Sequence, residues 1–202
     1  SAVIRSGSRR VGDPEVAVHR ASHVGGHVGE IHRASLARWL SLRSIDRHHL
    51  AQVNIARVRA PIDSPQLADF VAGLEPINAL ADAAPGFVWR LQTDAGDATA
   101  IRPYDDDRIM VNMSVWTSVE ALKAFVYSAE HRAYLARRRE WFERMDEAIV
   151  ALWWVEAGHR PTVAEAKDRL ALLDRVGPSP AAFTFRTGFP APEAAAGEGQ
   201  TV

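Results

Sequence analysis

The chain has 202 residues, of which 47% are hydrophobic and 24% charged, with a formal net charge of −1. That length suits one domain with or without tails, and the near-neutral balance leaves no electrostatic footprint for nucleic acid or an anionic membrane. The absence of cysteine excludes disulfides, thiolate metal sites and a cysteine nucleophile; with no signal-peptide core and no apolar run near ~18 residues, the expected location is the cytoplasm.

Residues 1–48 read as a leader. Ser1 to His49 holds six of the eight histidines, with much Arg, Ser and Gly and few large apolar residues. Only Ile31 to Leu42 hints at a helix, so disorder is the expectation. His19, His23 and His27 are spaced by four and would converge on a metal if helical, but Gly25-Gly26 works against that helix. No metal site is expected. The first methionine is Met110.

The expected domain runs from residue 49 to 186. Leu50 to Val58 is a strand candidate, with Ala51, Val53 and Ile55 on one face and Gln52 and Asn54 on the other. Leu67, Phe70, Val71, Leu74, Ile77 and Ala81 repeat at helical spacing, and Pro76 should kink or break that helix. Pro85-Gly86 stops it and opens a second strand, Phe87 to Thr93. A polar loop follows, with Thr99 to Arg102 as a candidate short strand. Asp105-Asp106-Asp107 within it reads as a solvated turn, since consecutive residues cannot converge on a cation without a dedicated loop.

Ile109 to Trp116 alternates cleanly: Ile109, Val111, Met113 and Val115 against Met110, Asn112, Ser114 and Trp116. Thr117 to Glu120 fits a capping box for a helix through Leu122, Phe125 and Val126. A further helix is expected from about Ala129 to Glu147, with Arg137 to Arg139 and Glu140 on an exposed face. Ile149 to Val155 is apolar throughout, as in a strand covered on both faces. A second capping box, Thr162 to Glu165, opens a helix that buries Val163, Ala166, Leu170 and Leu173 and stops at Gly177-Pro178. His159 precedes that cap and is placed to fix its loop. Phe183 to Arg186 is a candidate final strand, and residues 187–202 read as a disordered tail.

The order β-α-β-β-α-β plus a helix predicts an α+β, ferredoxin-like antiparallel sheet with helices on one face. Alternation then puts Gln52, Asn54, Asn112, Ser114 and Trp116 on the uncovered face. Such a half-polar face suggests that two copies pack sheet to sheet around a cleft, as a homodimer.

The runs "LAQVNIARVRAP", "NALADAAPGFVWRLQTDAGDATAIRP", Ile109 to Trp116 and "LWWVEAGHRPTVAEAKDRL" resemble a bacterial family of domains of unknown function within the dimeric α+β barrel superfamily, over Leu50 to about Pro190. Trp116, Ser118, Glu120-Ala121-Leu122 and Ser128-x-x-His131 are similar to the corresponding segment of antibiotic-biosynthesis-type monooxygenases. The resemblance implies the fold and a dimer, and the leading expectation is a small-molecule-binding barrel with monooxygenase-like chemistry on an aromatic or apolar substrate. No cofactor is expected, and the near-neutral charge and lack of a long apolar run argue against nucleic acid and membrane as partners. A non-catalytic ligand-binding or stress-related dimer is the alternative. Haem-degrading members add an Asn on the first strand, which Asn54 matches, a Trp that falls on Phe125 here, and a His that falls on Leu135. A haem protein with His131 as axial ligand is therefore a third reading.

Within that frame His131 is the candidate base, or else a histidine tied into a helix junction. Asn54 and Asn112 could stabilise an oxyanion, or be solvated residues of a sheet face. Gln52, Ser114, Trp116, Phe125 and Trp153 are candidate substrate contacts. Trp153 and Trp154 must point to opposite faces, one into the core and one into the cleft or dimer seam. Arg90 could hold an anionic substrate or be spent in a salt bridge.

Overall fold

A computed structural model describes residues 47–193. Residues 1–46 of the expected leader, with its helical hint and the His19, His23 and His27 spacing, and residues 194–202 lie outside the described residues; His48, placed in the leader, opens β1. The elements are β1 (His48–Arg57), a 3-10 turn (Pro65–Leu67), α1 (Ala68–Asp82), β2 (Phe87–Arg90), β3 (Ile109–Trp116), α2 (Val119–Val126), α3 (Ala129–Trp141), β4 (Val150–Glu156) and α4 (Val163–Val176). Among the described residues no helix is long and apolar enough to cross a membrane.

The sheet order is β2-β3-β1-β4, and every adjacent pair is antiparallel. Two crossovers, β1-α1-β2 and β3-α2-α3-β4, each skip one strand, which is the ferredoxin-like arrangement with a C-terminal helix added. The register aligns Leu50 with Trp116, Gln52 with Ser114 and Asn54 with Asn112. Leu50 also faces Trp154, and Asn54 faces Val150. Period-2 alternation therefore holds in each of these strands.

Alternation settles which residues share a face but not which layer covers them, and here the expected covering is reversed. The face carrying Leu50, Gln52, Asn54, Ser114 and Trp116 lies under α1, α2 and α3, where Leu50, Trp116 and Leu152 pack with Ala81 and Leu122. The opposite face, Ala51, Val53, Met113, Val115, Ala151 and Trp153, is closed by Ala166, Leu170 and Leu173 of α4 and by Ala182. Leu91, Ile101 and Tyr104 of the 91–108 loop complete that cover. The face expected to meet a second copy is thus under helices, and the other is filled by α4. Neither is a bare sheet surface on the folded chain.

Local departures have local causes. α1 runs unbroken through Pro76, because Pro76 and Ala72, whose carbonyl loses its bond, are both exposed to water. Gly86 has φ 81°, and a Cβ there would collide with Thr117 and Ala121. Thr117 donates its backbone N–H to the Gly86 carbonyl, so the cap of α2 passes to Ser118, whose hydroxyl accepts from the Ala121 N–H at 3.1 Å. α3 stops at Trp141 rather than near Glu147. Phe142 turns extended and bridges Val58, and Glu143 donates to the Arg57 carbonyl. β2 ends at Arg90, and residues 99–102 form no strand. The Thr162–Glu165 capping box is complete, and Glu165 also meets His159 Nε2 at 2.9 Å.

Packing extends past Thr187. Phe183 exchanges two backbone hydrogen bonds with Leu152, Phe189 tilts against Phe183, and the Phe189 carbonyl accepts from Trp154 Nε1 at 2.9 Å. Phe189, expected to lie in a disordered segment, is packed on the domain. Asp106 is bound rather than solvated, pairing with Arg57 at 2.8 Å.

Candidate functional site

Between the sheet and the helices α1 and α3 lies a cleft of about 650 Å³, a size suited to a small organic molecule. Its floor is the pair Asn54 and Asn112, neighbours across the β1–β3 ladder. A smaller continuation of about 190 Å³ runs along the same face past Gln52, Ser114 and Trp116. The two spaces share Asn54, Asn112, Arg90 and His131. Neither asparagine amide has a side-chain hydrogen bond among the described residues, so both are open to a ligand.

The floor is held by a relay. Trp116 Nε1 donates to Ser114 Oγ at 2.9 Å, and Ser114 donates to Gln52 Oε1 at 3.0 Å. Trp116 is buried, so this satisfies an indole N–H that would otherwise be costly. Gln52 also lines the smaller space. Aromatic rings wall this end in series. Phe87 meets Trp116 edge-on at 5.4 Å, Trp116 stacks on Phe125 at 5.3 Å, and Phe125 tilts against His131 at 4.8 Å.

His131 sits in the first turn of α3, where its backbone N–H donates to the capping Ser128 hydroxyl. Its Nδ1 lies 3.0 Å from the Val126 carbonyl. A carbonyl can only accept, so Nδ1 carries the proton and Nε2 is left as the acceptor in the neutral ring. Burial lowers the His131 pKa below its ordinary value, against the smaller opposing pull of the Val126 hydrogen bond. The histidine thus ties the α2–α3 junction and lines the cleft.

Two other candidates are placed differently. Arg90 lines the cleft, but its Nε and Nη2 grip both oxygens of Asp82 at 2.8 and 3.1 Å, and Nη1 donates to the Gly96 carbonyl at 2.7 Å. It is a structural clamp between α1 and the loop after β2. Trp153 does not reach the cleft; it is 1% exposed and packed under α4. Among the described residues no group of three His, Cys, Asp or Glu could hold a metal ion.

A family model described as Domain of unknown function (DUF3291) matches residues 49–199. The chain belongs to that family. The DUF3291 domain therefore includes the whole cleft and α4. No curated protein matches the chain in sequence. Solved structures similar to it include SnoaB, a cofactor-independent oxygenase from Streptomyces nogalater (19% identity, TM-score 0.38, covering 55% of this chain and 95% of that one). A protein of unknown function from Nitrosomonas europaea is 16% identical, with TM-score 0.36, 57% of this chain and 95% of that one. A dabb family protein with a ferredoxin-like fold from Mesorhizobium loti is 13% identical, with TM-score 0.35, 57% of this chain and 99% of that one. The fold itself is read from the strand order and pairing given above.

The DUF3291 cleft also contains residues that the sequence reading passed over: Asn78 on α1, Tyr134 on α3, and Arg59 beyond β1. Tyr134 follows His131 by three residues, a spacing that puts both on one helix face. Its ring crosses α1 at Gly73, where any Cβ would strike it. Arg59 has no period or motif to mark it. It enters the site because Val58 pairs with Phe142.

Proposed function

We propose that the cleft binds an aromatic small molecule carrying an acidic hydroxyl, and that His131 removes its proton as the first step of a cofactor-independent, monooxygenase-like oxidation. The observation that carries this is the His131 ring. Its Nδ1–H is fixed on the Val126 carbonyl, which leaves Nε2 as a base in a mostly apolar cleft. Asn54 and Asn112 would donate to the oxyanion, an interaction stronger with the anion than with the neutral phenol. Water exclusion strengthens both effects. Dioxygen is the co-reactant: for a naphthol, the O–H and one ring C–H are lost, one oxygen atom becomes a carbonyl, and the other leaves as water.

The test uses two probes. With 4-nitro-1-naphthol, whose anion absorbs in the visible, the protein should raise the anion signal at a pH where the free phenol is protonated. His131→Ala should abolish that rise. With 1-naphthol, an oxygen electrode and chromatography should detect oxygen uptake and 1,4-naphthoquinone. Binding of both probes without anion formation or uptake would leave a non-catalytic ligand-binding protein. Binding of neither would remove the cleft as a ligand site.

A further inference from the structure

The charge around the cleft departs from that of the chain. The whole sequence has a formal net charge of −1, yet five arginines, Arg59, Arg90, Arg138, Arg139 and Arg144, line the cleft against two carboxylates, Asp97 and Glu143. Both carboxylates are occupied. Asp97 Oδ1 accepts from the Thr99 backbone and hydroxyl at 2.8 and 2.6 Å, and Glu143 pairs with Arg108 at 3.0 Å. Arg90 is matched by Asp82, and Arg144 lies 3.9 Å from Asp146. The cleft cations without a carboxylate among the described residues are Arg59, Arg138 and Arg139, near the end of α3.

Arg59 is held there by the backbone. Its Nε donates to the carbonyls of Arg139 and Phe142 at 3.0 and 3.1 Å, which are among the groups a helix C-terminus leaves unsatisfied. Its own N–H donates to the Trp141 carbonyl at 2.9 Å. One edge of the guanidinium is thereby fixed, and the terminal nitrogens have no acceptor among the described residues. An anchored fork with an open face is preorganised for a planar, two-oxygen anion. The helix C-terminus disfavours an anion there, but three guanidinium groups outweigh a half-charge. Beside this cationic rim the cleft wall is apolar, with Phe70, Ile77, Tyr134 and Trp141.

We infer that the ligand of this cleft is an amphiphilic aromatic acid, its rings on the apolar wall and its carboxylate on Arg59 with Arg138 and Arg139. The inference rests on the cleft being the ligand site argued above, and it names the substrate class. Two fluorescent probes of one ring system test it on the full chain, 2-naphthoate and the neutral 2-naphthalenemethanol. The acid should bind about tenfold more tightly at low salt, and the preference should shrink as salt screens the rim. Arg59→Gln should remove most of that preference. Should that variant fail to fold, because Nε also caps α3, the Arg138→Gln, Arg139→Gln double variant carries the same expectation. Equal affinity of the two probes for the wild-type chain overturns the inference and leaves the cleft as a ligand site. Binding of neither probe overturns both. A preference that survives in the folded variants overturns the assignment to these arginines.

Discussion

Asn112 and Met113 are neighbours on β3, yet Asn112 is exposed and Met113 is 0% exposed. The same contrast separates the two faces of the whole sheet. Under α4 the side chains of β1, β3 and β4 are apolar and close completely. Under α1 and α3 a row of amides and a hydroxyl interrupts the apolar set, and the layers stand apart as a cleft. An apolar face can be sealed by any helix with a matching stripe, such as Ala166, Leu170 and Leu173 on α4. A face carrying Gln52, Asn54 and Asn112 cannot be sealed so cheaply, since each buried amide needs partners. One sheet therefore has a closed face and a face left open as the proposed ligand site, and substitutions on the two should behave differently.

The largest expected effect is on the closed face. Trp153→Ala removes a side chain 1% exposed in the core beneath α4, and should cost about 3–5 kcal/mol in urea unfolding. Probe affinity in the folded fraction should be unchanged. A loss below about 1 kcal/mol would mean that α4 does not seal this face. Trp153→Phe should be far milder, because the buried Nε1 it discards has no hydrogen-bond partner.

A middle-sized effect belongs to the cleft face, at the relay that holds its floor. Ser114 accepts from buried Trp116 and donates to Gln52. Ser114→Ala leaves the indole N–H unpaired and frees Gln52, at a cost of about 1–3 kcal/mol. It should also weaken aromatic probes, because Trp116 and Gln52 are no longer fixed. If thermal and chemical unfolding show no loss, water has replaced the hydroxyl, and the relay is not what holds the floor.

Much of this was legible in the sequence. The alternation in β1 and β3 put Asn54, Asn112, Gln52 and Ser114 on one face, while the register that makes Asn54 and Asn112 neighbours is set by the long-range pairing of β1 with β3. Ser128 placed His131 in a first helical turn. The unbroken apolar run of β4 already implied cover on both sides, which α4 supplies. What local pattern could not give was the assignment of cover to face. Trp153 and Trp154 have the same composition and opposite parity, so only the long-range docking of α4 decides which is core. Arg90 was ambiguous for a similar reason, because its partner Asp82 lies across the Pro85-Gly86 turn. Arg59 was invisible, since its role depends on where α3 ends.

The smallest expected effect tests whether His131 belongs to the ligand face as a neutral base. Burial depresses its pKa, so the unfolded chain takes up this proton at a higher pH than the folded one. Above the ordinary histidine value of about 6.5 both states are neutral and the residue contributes no pH dependence. As pH falls from there through the lowered folded value, the unfolded state binds more protons and stability drops. The native carboxylate Glu165 is separable. Burial pushes its pKa up, but the Thr162 backbone and His159 contacts outweigh that and hold it low, so its stabilisation is lost only in more acid solution. The difference in unfolding free energy between wild type and His131→Asn, followed from pH 7.5 to 5, isolates the histidine. The variant keeps an amide donor for the Val126 carbonyl and should lose less than about 1.5 kcal/mol at pH 7.5, and the gap should narrow on acidification as the wild type alone is penalised. A gap that widened would mean a histidine stabilised in its charged form. That would remove the base from the site, even if the cleft still bound aromatic probes.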